Sequence, residues 1–415
     1  MRAESIPTIA PADDAFLDDL EHRAWDFFND SWKVDTGLIS DRAKADGSAP
    51  GGLGSVASVG FGLSGICIAD ARGWIPRDQA TERVRATLEA FQSRLVNEHG
   101  FFYHFYLTRD GSRAGKSELS SIDTALFLAG AVTAREYFKD LQITTLVNAI
   151  YERIDWPWML DGGTTLRLGW TPEKGFIPYR WSRYSEHMVM DLVGIGAESH
   201  PLPPEEWKAW ERKPVGKWSG YEFLECRPLF THQYSQAYVD FRGKNDGIAD
   251  YFENSRLATL AQRQMCIGLA AKYPHWGENV WGLSASDSAH GYVAWGGPPA
   301  HPAIDGTIVP CAPGGSIPFA PAECLAALRT MKEQYGDLAW AKYGFVDAFN
   351  PETGWKDKDV IGIDVGITLL QAENYRTALI WKTFMQAPEI RRAMELAGFH
   401  EGGKLKPGSS LVEQP

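Results

Sequence analysis

The stretch FIPYRWSRYSEHMVMDLVGIGAESH, from Phe176 to His200, indicates the fold most clearly. Its second half, MVMDLVGIGA, is apolar on nearly every side, which is typical of a helix buried all round. Its first half is rich in aromatic and polar side chains, and Glu186 stands where the polar part meets the apolar one. Burial and aromatic neighbours keep a carboxyl group protonated near neutral pH. Glu186 is therefore a candidate catalytic acid, and the alternative is a Glu that caps a helix or favours its dipole.

Two kinds of helical segment alternate on either side of this stretch. Some have apolar residues on one face only, and others are small and apolar on all faces. Paired outer and inner helices of this sort favour an all-α protein, an (α/α)6 toroid built as a double ring of helical hairpins. One-sided helices are predicted at 14–32, 76–97 and 141–154, all-round apolar helices at 52–71 and 122–132, and further helices at 185–197, 251–273, 321–335, 365–384 and 388–396.

No linker or change of composition divides the chain, so one catalytic domain is expected over residues 13–400. Residues 1–12 are expected to form a flexible N-terminus and residues 401–415 a flexible polar tail. Long loops, especially 276–319, and small β-hairpins near 101–106 and 165–168 are expected at one end of the toroid. The N-terminus shows no apolar signal-peptide core, so the protein is expected to be cytoplasmic, or periplasmic or secreted if a signal peptide was removed.

The composition excludes several classes of partner. The 415-residue chain has 41 basic and 53 acidic residues and a net charge of −12, which argues against nucleic acid as a ligand. No apolar run reaches transmembrane length, so a membrane partner is not expected. Five scattered cysteines indicate free thiols rather than disulfides or a zinc site. We therefore expect a monomer without a metal or cofactor.

The segment GFGLSG, from Gly60 to Gly65, matches the dinucleotide-binding fingerprint G-x-G-x-x-G. That fingerprint requires a strand before it and a βαβ unit around it, and no such pattern surrounds this segment. Close packing of a buried helix through small residues is the favoured interpretation.

Carboxylates recur close to points where a polar loop gives way to an apolar helix. Hydrolysis of a glycosidic bond needs two such groups, one to protonate the leaving oxygen and one to activate water or attack the sugar. N-capping is the alternative role for Asp123 and Asp364, and an ion pair with Arg376 is the alternative for Glu373. The candidate acids are Asp123, Glu186, Asp287, Asp364 and Glu373.

The chain contains 16 Trp, 15 Tyr and 20 Phe, and aromatic side chains in clefts suit the flat faces of sugar rings. A large core with Trp between helices is the alternative. Hydrogen-bonding groups in the segment 231–243 suit sugar hydroxyls. The predicted substrate-binding residues are His232, Gln233, Arg183, Tyr184, Arg242, Trp281, Asp287, Tyr292, Trp295 and Tyr375.

Several motifs closely resemble the bacterial glucoamylase-like family, whose better-characterised relatives are endo-β-1,2-glucanases, as in glycoside hydrolase family 144. The resemblance runs from about Phe16 to Phe399. It implies an (α/α)6 toroid, bacterial origin, no metal, and hydrolysis of β-glucan with inversion at the anomeric carbon. The motifs are YSEHMVMDLVGIGAESHPLP, HQYSQAYVDFRG, ENSRLATLAQRQ, WGLSASDSAHGY, DGTIVP and ENYRTALIWK.

By this resemblance, Glu186 corresponds to the general acid of the Y-[NS]-E motif, and Asp364 to the base-side carboxylate of the I-D-x-G motif. Asp123 stands where relatives often carry Glu, and Ser120 where they tend to carry another acid. The expected function is hydrolysis of β-1,2-linked glucose chains or oligosaccharides. Transglycosylation or phosphorolysis of the same oligosaccharides, cleavage of α-glucan, and glycan binding without cleavage remain the alternatives.

Overall fold

The computed structural model describes residues 8–301 and 303–402 and is dominated by helices, with short strands between them. The one-sided and all-round apolar segments of the sequence both form helices. The helices are α1 (Pro11–Ser31), α2 (Val56–Arg72), α3 (Arg77–Ser93), α4 (Ser121–Phe138), α5 (Leu141–Glu152), α6 (Trp156–Leu160), α7 (Met188–Gly196), α8 (Glu206–Ala209), α9 (Tyr234–Tyr238), α10 (Tyr251–Gly268), α11 (Cys311–Gly314), α12 (Pro321–Ala339), α13 (Gly362–Thr377), α14 (Leu379–Phe384) and α15 (Pro388–Leu396).

Most helix boundaries differ from the predicted ones by a few residues, and three of the differences affect the candidate site or an expected flexible end. The helix predicted at 365–384 is two helices, because Ala378 adopts a left-handed conformation (φ 59°) between α13 and α14. The helix predicted at 185–197 begins only at Met188, which leaves Glu186 in the preceding turn. Helix α1 begins at Pro11, inside the segment 1–12 that was expected to be flexible. Of the two expected flexible ends, residues 1–7 and 403–415 lie outside the described residues.

The strands are two to four residues long and pair almost entirely as two-stranded antiparallel ladders. The predicted hairpin at 101–106 does not form, because Phe101–Phe102 pairs with Asn97–Glu98 and Phe105–Leu107 pairs with Leu53–Ser55. The extended piece predicted at 165–168 comes just before the strand Gly169–Thr171. The strands are β1 (Arg42–Lys44), β2 (Leu53–Ser55), β3 (Asn97–Glu98), β4 (Phe101–Phe102), β5 (Phe105–Leu107), β6 (Leu119–Ser120), β7 (Gly169–Thr171), β8 (Gly175–Phe176), β9 (Val215–Trp218), β10 (Tyr221–Leu224), β11 (Lys244–Asn245), β12 (Ala285–Ser286), β13 (Val293–Ala294), β14 (Trp340–Ala341), β15 (Gly344–Phe345), β16 (Phe349–Asn350), β17 (Trp355–Lys356), β18 (Asp359–Ile361) and β19 (His400–Glu401).

The helices buried on all sides pack against one another in a closed succession. Helix α2 packs on α4, α4 on α7, α7 on α9, α9 and α11 on α13, and α13 again on α2. Helices α2 and α4 approach so closely that a Cβ on Gly130 would lie 2.0 Å from the carbonyl oxygen of Gly60. The fingerprint-like segment that begins at Gly60 lies inside α2, which confirms the prediction of close helix packing.

Strands lead directly into three of these buried helices: β2 into α2, β6 into α4 and β18 into α13. The ladder of β1 with β18 pairs Arg42 with Ile361, and the Gly362 N–H donates to the Asp41 carbonyl oxygen at 2.7 Å. The start of α13 is thereby fixed beside residues more than 300 positions earlier in the chain.

The other predictions about the body of the chain have mixed outcomes. All five cysteines are free thiols, as predicted. Glu373 does form an ion pair, but its partner is Arg72 at 2.6 Å; Arg376 pairs instead with Glu21 at 3.0 Å. In the part of the chain that the structure describes, no helix has both the length and the hydropathy to cross a bilayer.

Candidate active site

A cavity of about 410 Å³ lies where the N-terminal ends of the buried helices converge. Helices α2, α4, α9 and α13 contribute residues from their first turns, and the turn before α7 contributes Glu186. Apolar and aromatic side chains make up most of the wall, and acids interrupt it. The lining residues are Asp41, Arg42, Ser55, Ala57, His104, Phe105, Ile122, Asp123, Leu126, Glu186, Phe230, Tyr234, Ala285, Tyr292, Ile361, Ile363 and Asp364.

Glu186 is held in its turn by hydroxyl groups. Ser185 Oγ donates to the Glu186 carboxylate, and Ser235 Oγ, from α9, donates to the Glu186 carbonyl oxygen. The same Ser235 Oγ accepts the Val189 N–H at 2.9 Å, so one side chain ties the turn to the first residues of α7. Burial raises the pKa of Glu186; hydrogen bonds from Ser185 and the backbone oppose this rise, and the charge of Asp123 adds to it. The surroundings therefore favour the protonated acid.

Asp364, the third residue of α13, lines the same cavity and is 6% exposed. The Cys311 thiol donates to Asp364 Oδ1 at 3.0 Å. Burial raises the pKa of Asp364, while hydrogen bonds with Asp347 and Cys311 and the positive charge of Arg42 lower it. Burial prevails, so the pKa of Asp364 lies above its ordinary value, although the donors and the cation beside it favour its ionised form.

Asp123 lies near the start of α4 but does not cap the helix. Ser120 is the N-cap and accepts the Asp123 N–H at 3.2 Å. His104 stands between two carboxylates, with Nδ1 2.9 Å from Glu118 Oε1 and Nε2 3.6 Å from Asp123 Oδ1. Burial disfavours the charged imidazole, but Asp123, Glu118 and Asp41 outweigh it and raise the pKa of His104 to about 9. His104 is therefore a cation at neutral pH.

Arg42 connects the cavity to an acidic cluster next to it. Its Nη1 donates to Asp287 Oδ2, and Asp287, Asp357 and Asp359 offer carboxylate oxygens within 4.8 Å of one another. Lys44 Nζ pairs with Asp359 at 2.6 Å. Because Arg42 and Lys44 already neutralise two of the three acids, the cluster is an ion-pair network formed within the chain.

Of the predicted sugar-binding residues, Tyr292 lines the cavity with 56% of its surface exposed, and Asp287 lies next to the cavity on Arg42. Three others belong to the core instead. The Tyr184 hydroxyl and His232 Nδ1 are 3.0 Å apart, and both side chains are buried. Gln233 is also buried and donates to the Ala312 carbonyl oxygen at 2.8 Å. Their hydrogen-bonding groups join core elements rather than face the cavity.

The two Trp residues that were predicted to stack on sugars are core residues. Trp281 is 0% and Trp295 2% exposed, and the Trp295 indole N–H donates to Ser286 Oγ at 3.0 Å. The alternative interpretation of the high Trp content, packing between elements, is correct for both. The aromatic side chains at the cavity wall are Phe105, Phe230, Tyr234 and Tyr292.

The remaining predicted residues also lie away from the cavity wall. The side chain of Arg183 is 68% exposed and pairs with Glu211 at 3.5 Å. Arg242 pairs with Asp240 at 2.8 Å and lies over the ring of Trp381. Tyr375 is near the C-terminal end of α13, eleven residues after Asp364. These three residues are close in sequence to the family motifs, but their side chains do not line the cavity.

Sequence reasoning missed four polar groups of the site: Asp41, Arg42, His104 and Asp347. Asp41 is 4% exposed, and burial raises its pKa to about 6, with Arg42 and His104 opposing the rise. The sequences SDRA at 40–43 and FFYHFY at 101–106 place charged or titratable groups among buried residues. An acid or imidazole that directly adjoins a strand, in a run of mostly apolar or aromatic residues, is a signal that could have identified Asp41 and His104.

Comparisons with known proteins agree with this architecture. A family model described as "Glycoamylase: Putative glucoamylase" matches residues 178–388. A curated relative from Parabacteroides distasonis, named exo beta-1,2-glucooligosaccharide sophorohydrolase (non-reducing end), is 26% identical over 94% of this chain. The chain spans 59% of that relative's length.

Two solved structures have the same fold over nearly the whole chain. The endo-β-1,2-glucanase from Chitinophaga pinensis, in complex with sophorotriose and glucose, superposes with a TM-score of 0.85 at 26% identity, covering 94% of this chain and 99% of the other. A "putative glucoamylase" from Bacteroides uniformis gives a TM-score of 0.86 at 27% identity, covering 95% and 99%. The chain belongs to the Glycoamylase family.

Proposed function

We propose that this protein is a glycoside hydrolase that cleaves β-glucan, with β-1,2-linked glucose chains or oligosaccharides as substrate. One observation carries the proposal: two carboxyl groups on different elements, Glu186 and Asp364, line one cavity, and Asp364 has the cation Arg42 and a thiol donor beside it, whereas Glu186 has a hydroxyl donor. A protonated acid and an ionised carboxylate are the pair that glycosidic hydrolysis requires. The naming of the curated relative and of the Chitinophaga enzyme supports the choice of β-1,2 linkage.

In the proposed mechanism Glu186 donates its proton to the leaving glycosidic oxygen. Asp364 removes a proton from the attacking water, either directly or through a hydroxyl group of the substrate, and the anomeric carbon inverts its configuration. Asp123, held near the His104 imidazolium, accepts hydrogen bonds from sugar hydroxyls. Ser185 keeps the Glu186 carboxyl oriented through its hydrogen bond.

The cavity wall suits a sugar. Phe105, Phe230 and Tyr292 offer ring faces to the apolar faces of glucose units, and His104, Asp123 and the two principal acids offer polar contacts. Its volume falls within the range of roughly 300–1,000 Å³ that is usual for small-ligand sites. This mixture of few polar groups and many apolar ones is typical of pockets that fix one orientation of a neutral ligand.

We also propose that the helices form the (α/α)6 toroid that the sequence predicts. The inner ring would consist of α2, α4, α7, α9, α11 and α13, whose packing closes from α13 back to α2. The cavity then lies at the end of the ring where the inner helices begin, so their first turns carry the acids.

The proposal is tested with a panel of β-1,2-, β-1,3- and β-1,4-glucans, starch and short disaccharides, each incubated with the wild-type protein and with Glu186→Gln. We expect cleavage of β-1,2-glucan by the wild-type protein and a loss of about 10²–10⁴ in rate in the variant. Cleavage of starch alone would contradict the proposal. Binding without turnover would identify a glycan-binding protein, and products that appear only with an added acceptor or phosphate would identify a transferase or phosphorylase.

A further inference from the structure

Asp347 is a buried acid beside Asp364, and the two acids line one small cavity together with Cys311. It is 3% exposed and lies in the segment between β15 and β16. Its Oδ2 accepts the Asp287 N–H at 2.8 Å. Its Oδ1 is buried and has no hydrogen-bond partner among the described residues, and a proton shared with the neighbouring Asp364 carboxyl would supply one.

Two carboxyl groups this close and this buried cannot both be ionised without a large cost in free energy, so they share one proton. The environment decides which of the two carries it. Asp364 also accepts from the Cys311 thiol and is stabilised as an anion by Arg42. Burial and the Asp364 charge raise the pKa of Asp347 well above its ordinary value, and the Asp287 N–H and the Arg42 charge oppose this. The thiol donor on Asp364 and the stronger rise at Asp347 favour Asp347 as the carrier of the proton.

We propose that Asp347 is a positioning residue that carries a proton and donates it as a hydrogen bond to Asp364, so that Asp364 remains the ionised carboxylate of the site. The inference rests on the proposed function, in which Asp364 acts as the base. Asp347 does not touch the substrate. As a neutral acid it accepts from the Asp287 N–H with one oxygen and donates to Asp364 with the other.

The groups that face Asp364 come from every element packed around it, and each affects its ionisation. Cys311 and Asp347 donate to it, Arg42 stabilises its charge, and the acids Asp41 and Asp287 oppose that charge. The phenols Tyr234 and Tyr292 remain neutral, because burial raises both of their pKa values. The full set is Asp41 and Arg42 in and before β1, Tyr234 on α9, Asp287 and Tyr292 between β12 and β13, Cys311 on α11 and Asp347 before β16.

Asparagine at position 347 reproduces both hydrogen bonds of the protonated acid, and leucine reproduces neither. We expect Asp347→Asn to lower kcat less than about tenfold and to keep the acidic limb of the pH–kcat profile within about half a pH unit. We expect Asp347→Leu to move that limb upward by about one pH unit or more and to lower kcat at pH 5 by about tenfold or more, because Asp364 loses its donor. Cys311→Ala, which removes the weaker thiol donor, should give a smaller shift.

Three results would overturn the proposal. An Asp347→Asn protein as inactive as Asp364→Asn would show that Asp347 must be ionised. An acidic limb that Asp347→Leu leaves in place would show a purely structural role, and a larger shift for Cys311→Ala would make the thiol the principal donor. Circular dichroism and thermal melts check that the variants fold. If the Leu variant does not fold, kcat and the acidic limb of Asp347→Asn still test whether Asp347 acts as a neutral donor.

A second measurement does not depend on turnover. Carbon-13 NMR of the Asp side-chain carboxyls should show a carboxyl that stays protonated from pH 4 to pH 8 in the wild-type protein and is lost in Asp347→Asn, separate from any signal of the buried Asp191 that both proteins share. Titration of that carboxyl with an ordinary pKa would contradict the proposal. If the protein cleaves no glycan, the proposed function fails, yet this titration still tests the pairing of Asp347 with Asp364.

Discussion

The surroundings of Glu186 and Asp364 differ in one respect that decides their chemistry. Burial raises the pKa of both carboxyls. At Glu186 a neutral hydroxyl, that of Ser185, donates a hydrogen bond to the carboxylate and opposes the rise in pKa. The like charge of Asp123 adds to that rise. Around Asp364 a carboxylic acid and a thiol donate hydrogen bonds, and a guanidinium lies nearby. Burial thus raises the pKa of both carboxyls, but a cation, Arg42, is among the groups that oppose the rise at Asp364, and no cation has that role at Glu186.

The residues further from the cavity also differ between the Glu186 side and the Asp364 side. Next to Glu186, His187 is fully buried, and burial lowers its pKa to about 3, so it is neutral and adds no positive charge that would ionise Glu186. One turn into α7, Asp191 is also fully buried, and the pKa of its partner Glu206 is raised by burial to about 8. The Asp364 side has Arg42 and a network of ion pairs. Burial is common to the two acids, and it is their charged neighbours that differ.

The largest expected effect follows from replacing the acid. Glu186→Gln should lower kcat on β-1,2-glucan by about 10²–10⁴, because glutamine cannot protonate the leaving oxygen. The loss should be much smaller on a substrate with a good leaving group, such as a dinitrophenyl glycoside, which needs no proton. Steady-state kinetics on both substrates checks this. Glu211→Gln, at a largely exposed position, is the matched control and should leave kcat unchanged.

Asp364→Asn should lower kcat by about 10²–10³, within the range that a general base contributes. Here a good leaving group should give no recovery, because the missing step is the activation of water. The ratio of rates on the two substrates thus separates the two acids. Equal recovery of both variants by the activated substrate would refute the assignment of different roles.

His104→Gln tests the cation between the acids through stability. A His whose folded pKa is about 9 and whose unfolded pKa is near 6.5 contributes stability that is full below pH 6.5 and is lost as the pH rises through 9. We expect the variant to lose on the order of 2 kcal/mol of unfolding free energy at pH 6 and less at pH 10. Urea denaturation at both pH values measures this, and an equal loss at both would show that the charge contributes nothing.

The smallest change in stability is expected from Glu206→Gln, at a buried position on α8 close to Asp191 of α7. Because its folded pKa is raised, Glu206 contributes stability that is full below about pH 4.5 and is lost as the pH rises through about 8. The variant should therefore gain stability relative to the wild-type protein between pH 5 and pH 9, by on the order of 1 kcal/mol. Thermal melts across that range test it; a difference that does not grow with pH would indicate that Glu206 is ionised when buried.

Local sequence patterns predicted the longer helices, but not α6, α8, α9 and α11, which have four or five residues each. Helix α15 has the predicted bounds, and the all-round apolar pattern of 122–132 lies inside α4. Asp364 and Asp123 were found because an acid in the first turn of an apolar helix is a local signal. Glu186 was found in the same way, although it lies in the turn before α7 rather than in the helix.

What the sequence did not reveal depends on contacts between distant segments. Arg42 reaches the site only because β1 pairs with β18, and Asp347 matters only because it meets Asp364. Trp281 and Trp295 were predicted at the surface of a cleft because composition shows how many Trp there are and not where they lie. Burial of each Trp is decided by tertiary packing, which no local pattern encodes.

The most direct test of the account is time-resolved proton NMR of β-1,2-glucan cleavage, read at the anomeric proton of the new reducing end. An acid at Glu186 and a water-activating base at Asp364 predict that the α-anomer forms first and that the β-anomer grows only by mutarotation. Glu186→Gln should show neither signal over the same period. Initial release of the β-anomer, or cleavage by the variant at the wild-type rate, would contradict the account.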